Sequence, residues 1–263
     1  MRDRSHPLEL LRQAAARRAA EGVRRALVPR GPGHDGLLDL ASNDYLGLCG
    51  DKRLTAAAAE AAWTWGTGAA GSRLVTGTTV LHARLEQRLA EFTGAAGALV
   101  FSSGYLANLT VLTALAAALG APNDLLIVSD AGNHASLIDA CRLSRARVTV
   151  TPHRDPDAVR KVLANREEAA AIVVSDAVFC VDGALRVSAP DAAVLAVTLG
   201  ESTRAVRAMQ TCAAYGVRVG CFRPPSVPPG RACLRLTGRA SLTESEFAAA
   251  ARALAAVGGH DES

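Results

Sequence analysis

Between residues 98 and 174 short apolar runs alternate with longer segments of helical periodicity, and no other feature constrains the fold as much. Short parallel strands need crossover connections, and the segments between these runs have the length and the periodicity of crossover helices. This alternation is typical of a mostly parallel sheet that helices cover on both faces. The predicted strands are 98–101, 125–129, 147–151 and 171–174, and the predicted helices are 105–119, 136–143 and 155–165.

The flanking sequence predicts further elements and a second architecture near the C-terminus. A small α+β pattern follows residue 190, and its last helix begins with the capping box Thr243-x-x-Glu246. The sequence changes abruptly near 189–191, so we predict an N-terminal helix and arm over 1–60, a large domain over 61–190 and a small domain over 191–263. The additional elements are helices over 8–25, 54–65, 81–92, 202–215 and 243–257, an apolar run over 38–40, and strands over 194–199, 217–222 and 232–237.

Composition narrows the function classes. The 29 basic and 25 acidic residues are scattered, with few aromatic residues among them, so nucleic-acid binding is not expected. The longest apolar stretch, 109–121, is too short to cross a bilayer, which needs roughly 20 residues, and no secretory start precedes the chain. The six cysteines form no C-x-x-C pair or metal-type spacing, so we expect no metal site and a reduced, cytoplasmic protein.

Two positions after predicted strands are candidate ligand contacts. Gly104 and Tyr105 lie where a predicted strand leads into a helix, and the free N–H groups at the start of a helix attract phosphate. The tripeptide Ser103-Gly104-Tyr105 also fits an ordinary strand-to-helix turn. His134 follows the strand over 125–129, where ligands bind in parallel sheets. Its imidazole could face a cofactor, or it could cap the helix that begins near Ser136.

Three other residues have equally open local interpretations. Cys180 could be a reactive thiolate or a buried structural thiol. Arg235 lies between leucines on a predicted strand, where its guanidinium could grip a carboxylate or could simply be exposed. Arg24 follows an amphipathic helix and could be solvated.

Taken together and in order, these motifs resemble the α-oxoamine synthase family of fold type I pyridoxal 5'-phosphate (PLP) enzymes, and within it the 8-amino-7-oxononanoate synthases of biotin biosynthesis. The resemblance covers nearly the whole chain. The matching segments are 42–48 (SNDYLGL), 66–77 (GTGAAGSRLVTG), His82-x-x-Leu85-Glu86, 101–108 (FSSGYLAN), 129–137 (SDAGNHASL), 151–155 (TPHRD), 178–183 (VFCVDG), 222–228 (FRPPSVP) and 234–237 (LRLT).

The resemblance implies the aspartate aminotransferase-like α/β fold with a small C-terminal α+β domain, PLP as cofactor and a homodimer. It implies a decarboxylative condensation of L-alanine with a pimeloyl thioester, carried by coenzyme A or acyl carrier protein, without nucleic-acid or membrane partners. By the same resemblance Gly104, Tyr105, His134 and Cys180 match cofactor-binding positions. The positions that match substrate contacts are Arg24, Asn43, His134, Ser226 and Arg235.

The resemblance ends where the family carries its catalytic lysine. Family members continue through a D-E-A-H-type strand end and a T-x-S-K-type loop, whereas this chain passes from 187–190 directly into a segment, 191–200, that resembles the start of the small domain. Its only lysines, Lys52 and Lys161, lie in other contexts, so we expect no Schiff-base lysine, no catalytic residue and no covalent cofactor.

The gap has consequences for folding and function. Losing strands of the large-domain sheet should expose sheet edges and apolar helix faces, so we expect a chain prone to misfold or associate unless a partner covers them. Three functions stay open: an 8-amino-7-oxononanoate synthase or another α-oxoamine synthase, a non-catalytic partner of an active chain, and an inactive remnant.

Overall fold

A computed structural model describes residues 7–33, 35–177, 179 and 193–258. Cys180, the end of the 178–183 motif and the predicted boundary near 189–191 lie outside these residues. The chain divides into two units, one formed by 1–54 with 180–263 and the other by 55–179. This division differs from the predicted 1–60, 61–190 and 191–263, because the N-terminal segment contributes a strand to the C-terminal sheet.

The described residues form eight helices and seven strands, and none of these helices is long and apolar enough to cross a membrane. The helices are α1 (Pro7–Ala20), α2 (Lys52–Trp65), α3 (Val80–Thr93), α4 (Gly104–Ala118), α5 (Ala135–Ser144), α6 (Pro156–Ala164), α7 (Ser202–Ala214) and α8 (Glu244–Gly258). The strands are β1 (Leu38–Leu40), β2 (Leu125–Asp130), β3 (Arg147–Thr151), β4 (Ala170–Val174), β5 (Val194–Gly200), β6 (Val217–Phe222) and β7 (Ala232–Thr237).

The 55–179 unit is built on a parallel three-stranded sheet in the order β3-β2-β4. The central strand β2 begins with four fully buried apolar residues, 125–128, as expected for a parallel strand that helices cover on both faces. Leu112 and Ala116 of α4 and Ala140 of α5 belong to the same core. The alternating pattern therefore predicted this unit correctly from residue 104 onward.

The prediction of a strand over 98–101 is wrong. This segment has no ladder partner among the described residues, and its polar backbone groups bind side chains instead. The Val100 N–H donates to the Glu86 carboxylate at 2.9 Å, and the Val100 carbonyl accepts from the Arg73 guanidinium at 3.1 Å. Leu99 is 72% exposed. A run with strand composition becomes a strand only when a neighbouring strand satisfies its backbone.

Arg73 and Glu86 form the anchor of that segment. Two guanidinium nitrogens of Arg73 lie 2.5 and 3.0 Å from the Glu86 carboxylate oxygens. The hydrogen bond from Arg73, reinforced by the Val100 N–H, lowers the pKa of Glu86 from its ordinary 4.5 to about 2. The stabilisation that comes from the ionised carboxylate is therefore complete above about pH 4.5 and is lost as the pH falls towards about 2.

We expect the Val100 amide to report this titration. After correction for intrinsic exchange, its hydrogen-exchange protection should fall between about pH 4.5 and pH 2, because protonated Glu86 no longer holds Arg73 and the amide together. Glu86→Gln should reduce protection at pH 7 and remove the pH dependence. Glu91→Gln is the control, since Glu91 on the same helix pairs with Gln87 and Arg88 at the exposed surface. Equal protection in all three proteins would contradict the assignment.

The other unit is a mixed four-stranded sheet in the order β1-β6-β7-β5. β1 runs parallel to β6, whereas β7 is antiparallel to both β6 and β5. α7 and α8 contribute Ala205, Cys212 and Ala253 to its core beside Val217 and Leu234. The capping box is confirmed, since the Glu246 carboxylate accepts from the Thr243 N–H at 2.9 Å and the Thr243 hydroxyl accepts from the Glu246 N–H at 3.3 Å.

The first helix is shorter than predicted and ends at Ala20 instead of 25. Gly22 has a positive φ of 66°, a conformation that glycine adopts readily. The N–H groups of Val23 and Arg24 then donate to the Arg18 carbonyl. A Cβ at Gly22 would lie only 2.9 Å from Thr203 Cγ2. The glycine therefore both ends the helix and allows the chain to pass close to α7.

Apolar side chains on α3 are not covered by the described residues. Neither α2 nor α3 buries any residue. One face of α3, which we call the α3 face, carries Leu81, Leu85, Leu89 and Phe92 at helical spacing. The three leucines are 37–46% exposed and Phe92 is 88% exposed. The expected exposure of apolar helix surface is thus confirmed for this helix.

Candidate functional site

In the 55–179 unit the first turns of α4 and α5 lie side by side. Asn108 Nδ2 donates to Ser136 Oγ at 2.9 Å, and Tyr105 Oη donates to Asp139 Oδ2 at 2.5 Å. These bonds join two helix N-termini, each of which concentrates free N–H groups and a positive partial charge. The first turn of α4, which carries Gly104 and Tyr105, therefore lies beside the start of α5, which follows His134.

The start of α4 is open to a ligand. Ser103 caps the helix by accepting from the Leu106 N–H at 3.1 Å, which leaves the backbone at Gly104 and Tyr105 free of this cap. No atom lies within 4 Å of the position that a Cβ at Gly104 would occupy. A phosphate could thus approach this backbone closely.

Tyr105 already has a polar partner. Its hydroxyl donates to Asp139, and this bond raises the pKa of Tyr105 and lowers the pKa of Asp139. Arg142 also pairs with Asp139 at 2.9 Å. The phenol is therefore held in the protonated state along α5, and we expect the backbone of Tyr105 rather than its hydroxyl to meet a ligand.

His134 caps α5 with its own ring. Its Nδ1 accepts from the Ser136 N–H at 3.2 Å and lies 2.7 Å from Ser136 Oγ. The capping interpretation left open by the sequence is confirmed. It does not exclude the cofactor interpretation, because the residue is exposed and the cap uses only Nδ1.

Two neighbours of His134 were missed by the sequence analysis. Asp176, just past β4, accepts from the His134 N–H at 2.8 Å. Asn133 is buried, and its Nδ2 donates to Ser129 Oγ at 3.0 Å and to the Val174 carbonyl at 2.8 Å. Asn133 therefore fixes the loop before α5 to the carboxyl ends of both β2 and β4. Residues that follow adjacent parallel strands can meet at that edge, and this was the available signal.

A carboxylate at the end of β2 holds the next loop. Asp130 accepts from the Gly132 N–H at 2.7 Å and the Arg154 N–H at 3.0 Å, and it lies 2.6 Å from His153 Nδ1. Burial alone would raise its pKa, but these donors together lower it. A Cβ at Gly132 would lie 2.6 Å from His153 Nδ1, so only glycine fits there. The edge of this sheet is rigidly built.

The other unit contains the candidate carboxylate receptor. Arg235 is 8% exposed, and its Nη2 donates to Asn43 Oδ1 at 2.7 Å. The guanidinium carbon lies 5.0 Å from the centre of the Phe222 ring, within cation–π distance. Arg235 Nε is buried without a hydrogen-bond partner among the described residues. A planar, partly unsatisfied guanidinium suits a carboxylate, and the candidate residue Asn43 is hydrogen-bonded to it.

We expect Arg235→Ala to destabilise this unit by about 2 kcal/mol, because the change removes buried packing on Phe222 and leaves the Asn43 carbonyl without its donor. Arg231→Ala, which truncates an exposed arginine just before β7, should cost under about 0.5 kcal/mol. Urea unfolding of both variants measures the difference. Equal stabilities would show that Arg235 is not integrated into the core.

Arg25, the neighbour of the candidate residue Arg24, contacts the candidate residue Ser226. Arg25 Nη2 donates to Ser226 Oγ and to the Arg223 carbonyl, both at 3.0 Å. Arg24 is exposed, and its carbonyl lies 3.5 Å from Arg223 Nη1. The two arginines are adjacent in the sequence, so the backbone turn after Gly22 decides which of them reaches the 223–227 loop.

Both lysines lie on helix surfaces. Lys52 is the first residue of α2 and Lys161 lies in the last turn of α6, and both are exposed. An imine-forming lysine is usually buried in a pocket that lowers its pKa. Neither Lys52 nor Lys161 has such surroundings among the described residues.

Comparisons with known proteins agree on one family. The sequence profile of aminotransferase class I and II matches residues 35–185. The chain is 37% identical to an 8-amino-7-oxononanoate synthase of Mycobacterium sp. (strain JLS), with 95% of this chain and 97% of the relative covered. It is 38% identical to the enzyme of the same name from Mycolicibacterium smegmatis, with 94% and 96% covered.

Solved structures support the fold. A serine palmitoyltransferase from S. paucimobilis, solved with a PLP–myriocin adduct, matches with a TM-score of 0.81 at 19% identity over 98% of this chain and 99% of that one. An 8-amino-7-oxononanoate synthase from Francisella tularensis matches with a TM-score of 0.63 at 16% identity over 87% and 99%. The predicted fold class, PLP-dependent transferase fold type I, is thereby confirmed.

The same alignments reveal a large internal gap. The match to the Mycobacterium sp. relative runs over 375 residues although this chain has only 263, so at least 112 aligned positions have no counterpart here. Because 97% of the relative and 95% of this chain are covered, those positions are internal. The predicted internal deletion is therefore confirmed.

Proposed function

This chain belongs to the 8-amino-7-oxononanoate synthases within aminotransferase class I and II, and we propose that it is a non-catalytic member of that family. It retains groups that hold ligands, but it does not complete by itself the condensation of L-alanine with a pimeloyl thioester. Its role is to associate with a complete chain of the same family. The alternative is an active synthase that uses this acyl donor or a related one.

The observation that carries the proposal is the state of the lysines. The sequence has two, and both are exposed at the surface of helices. At least 112 positions of the relative are missing as well. A PLP-dependent acyltransferase needs a lysine amine to bind the cofactor covalently and to move the α-proton. Neither requirement is met by Lys52 or Lys161.

The remaining residues fit a non-covalently bound PLP in part. The open backbone at Gly104 and Tyr105, beside the N-terminus of α5, suits its phosphate. The His134 ring, fixed through Nδ1, offers a flat face for the pyridine ring. Cys180 would lie beside the same ring by resemblance to the family. When bound, PLP withdraws electrons from a bond at the α-carbon of an amino acid.

The substrate-contacting residues suit small acids. Arg235, supported by Asn43, would bind the carboxylate of L-alanine. Arg24, Arg25 and Ser226 would meet the acyl donor, whose carrier is coenzyme A or acyl carrier protein. We further propose that the chain works in the cytoplasm as a dimer; the free thiols of Cys49, Cys141, Cys212 and Cys221 support a reducing compartment.

An activity and association assay tests the proposal. The chain alone, given PLP, L-alanine and pimeloyl-CoA, should release no carbon dioxide above the background without enzyme. The Mycolicibacterium smegmatis relative serves as the active control. When both are co-expressed with different affinity tags, the chain should co-purify with the complete relative. Turnover by the chain alone would overturn the proposal, and failure to co-purify would favour an inactive remnant.

A further inference from the structure

The hydrogen bonds around His134 determine which of its ring nitrogens carries the proton. The Ser136 backbone N–H can only donate, and it points at His134 Nδ1 from 3.2 Å. In a neutral imidazole Nδ1 must therefore be the acceptor, and the proton lies on Nε2. The opposite tautomer would place two N–H groups against each other at the start of α5.

The Ser136 hydroxyl strengthens the same choice. Its oxygen accepts from Asn108 Nδ2 at 2.9 Å, so its own hydrogen is available to His134 Nδ1 at 2.7 Å. Ser136 is completely buried, so its hydrogen bonds are protected from competition with water. Asn108 on α4, Ser136 and His134 thus form a directed chain of donors that ends on Nδ1.

The backbone of His134 is held independently. Asp176 accepts its N–H at 2.8 Å, and Asn133 fixes the preceding residue to β2 and β4. The position of the His134 backbone and the role of Nδ1 as a hydrogen-bond acceptor are therefore both fixed by neighbouring residues.

We propose that Ser136, oriented by Asn108, is a positioning residue that keeps His134 in the Nε2–H tautomer, so that the imidazole presents a donor to an oxygen of a bound anion. The anion is a carboxylate or phosphate oxygen of the ligand held at the α4 and α5 N-termini. The identity of the ligand rests on the proposed function, whereas the tautomer is a property of the chain without any ligand.

Nitrogen NMR of selectively ¹⁵N-histidine-labelled chain at pH 8 tests the tautomer directly. We expect His134, assigned with His134→Gln, to show a protonated-type Nε2 and an unprotonated-type Nδ1 resonance. Ser136→Ala should bring the two resonances closer, corresponding to a roughly fivefold lower ratio of Nε2–H to Nδ1–H, the factor expected for one lost hydrogen bond. Ser144→Ala, which truncates another buried serine of α5, should leave the ratio unchanged.

A protonated Nδ1 in the wild-type chain would overturn the proposal, as would an unchanged ratio in folded Ser136→Ala. If Ser136→Ala does not fold, Asn108→Leu provides the test. This change frees the Ser136 hydroxyl to rotate and should lower the ratio of Nε2–H to Nδ1–H by about twofold. No change in that ratio would again overturn the proposal. Separate titration with PLP tests the proposed function, so a confirmed tautomer without cofactor binding would reject only the latter.

Discussion

PLP mixed with the purified chain and reduced with borohydride is expected to leave no saturable, stoichiometric pyridoxyl label on either lysine. Borohydride reduces an imine to a stable amine, so a chain that holds PLP through a lysine becomes permanently labelled. Lys52 and Lys161 are exposed on α2 and α6, where nothing orients an aldehyde towards the amine or excludes water. Intact-mass spectrometry and peptide mapping measure the label.

Two controls make this result decisive. The Mycolicibacterium smegmatis relative, treated in parallel, should be labelled on one lysine per chain if it works as its family does. A chain carrying Lys52→Arg and Lys161→Arg should have the same affinity for PLP as the wild-type chain, since neither lysine amine contributes to PLP binding. Saturable labelling of either lysine, abolished by its arginine variant, would contradict the non-catalytic assignment.

Non-covalent PLP binding is expected to survive the loss of the lysine but to be weak. His134→Ala should lower the affinity by about tenfold, because it removes the ring that we propose to stack on the cofactor and also the cap of α5. His82→Ala is a suitable control, since His82 caps a different helix, α3. Fluorescence titration with PLP measures both affinities, and equal losses would place the cofactor elsewhere.

Much of the fold could be predicted because periodicity and local chemistry agree along most of the chain. The buried run 125–128 identified β2, and the capping box at Thr243 and Glu246 identified the start of α8. The segment 98–101 shows the limit of this reasoning. Its composition is that of a strand, but strand formation depends on a partner elsewhere in the chain, and the described residues offer none.

The candidate site shows the same division between local and distant information. Gly104, Tyr105 and His134 were identifiable because each follows a predicted strand or opens a helix. Asp176 and Asn133 were not, since their roles depend on the register of β4 beside β2. Arg25 was missed for a different reason, as the turn after Gly22 determines which arginine reaches Ser226. Cys180 stays a prediction.

The chain alone is expected to associate through the exposed apolar side chains of the α3 face. Burying a large apolar side chain contributes about 1.5–3 kcal/mol, and the α3 face carries Leu81, Leu85, Leu89 and Phe92 without cover from the described residues. Sedimentation velocity should show concentration-dependent species larger than the 27.2 kDa chain. A monomer that unfolds cooperatively would contradict the expectation.

Substitution on the α3 face separates this mechanism from general instability. Leu85→Gln with Phe92→Gln keeps two residues compatible with a helix and removes two apolar contacts, so self-association should weaken by about tenfold for each side chain. Leu27→Gln with Val28→Gln removes two apolar residues of the other unit that are 98% and 83% exposed, and it should have no such effect. If both double variants weaken association equally, exposure alone drives it and the α3 face has no special role. A selective loss with the α3 variant, together with loss of co-purification with the complete relative, would instead identify the α3 face as the surface through which this chain associates.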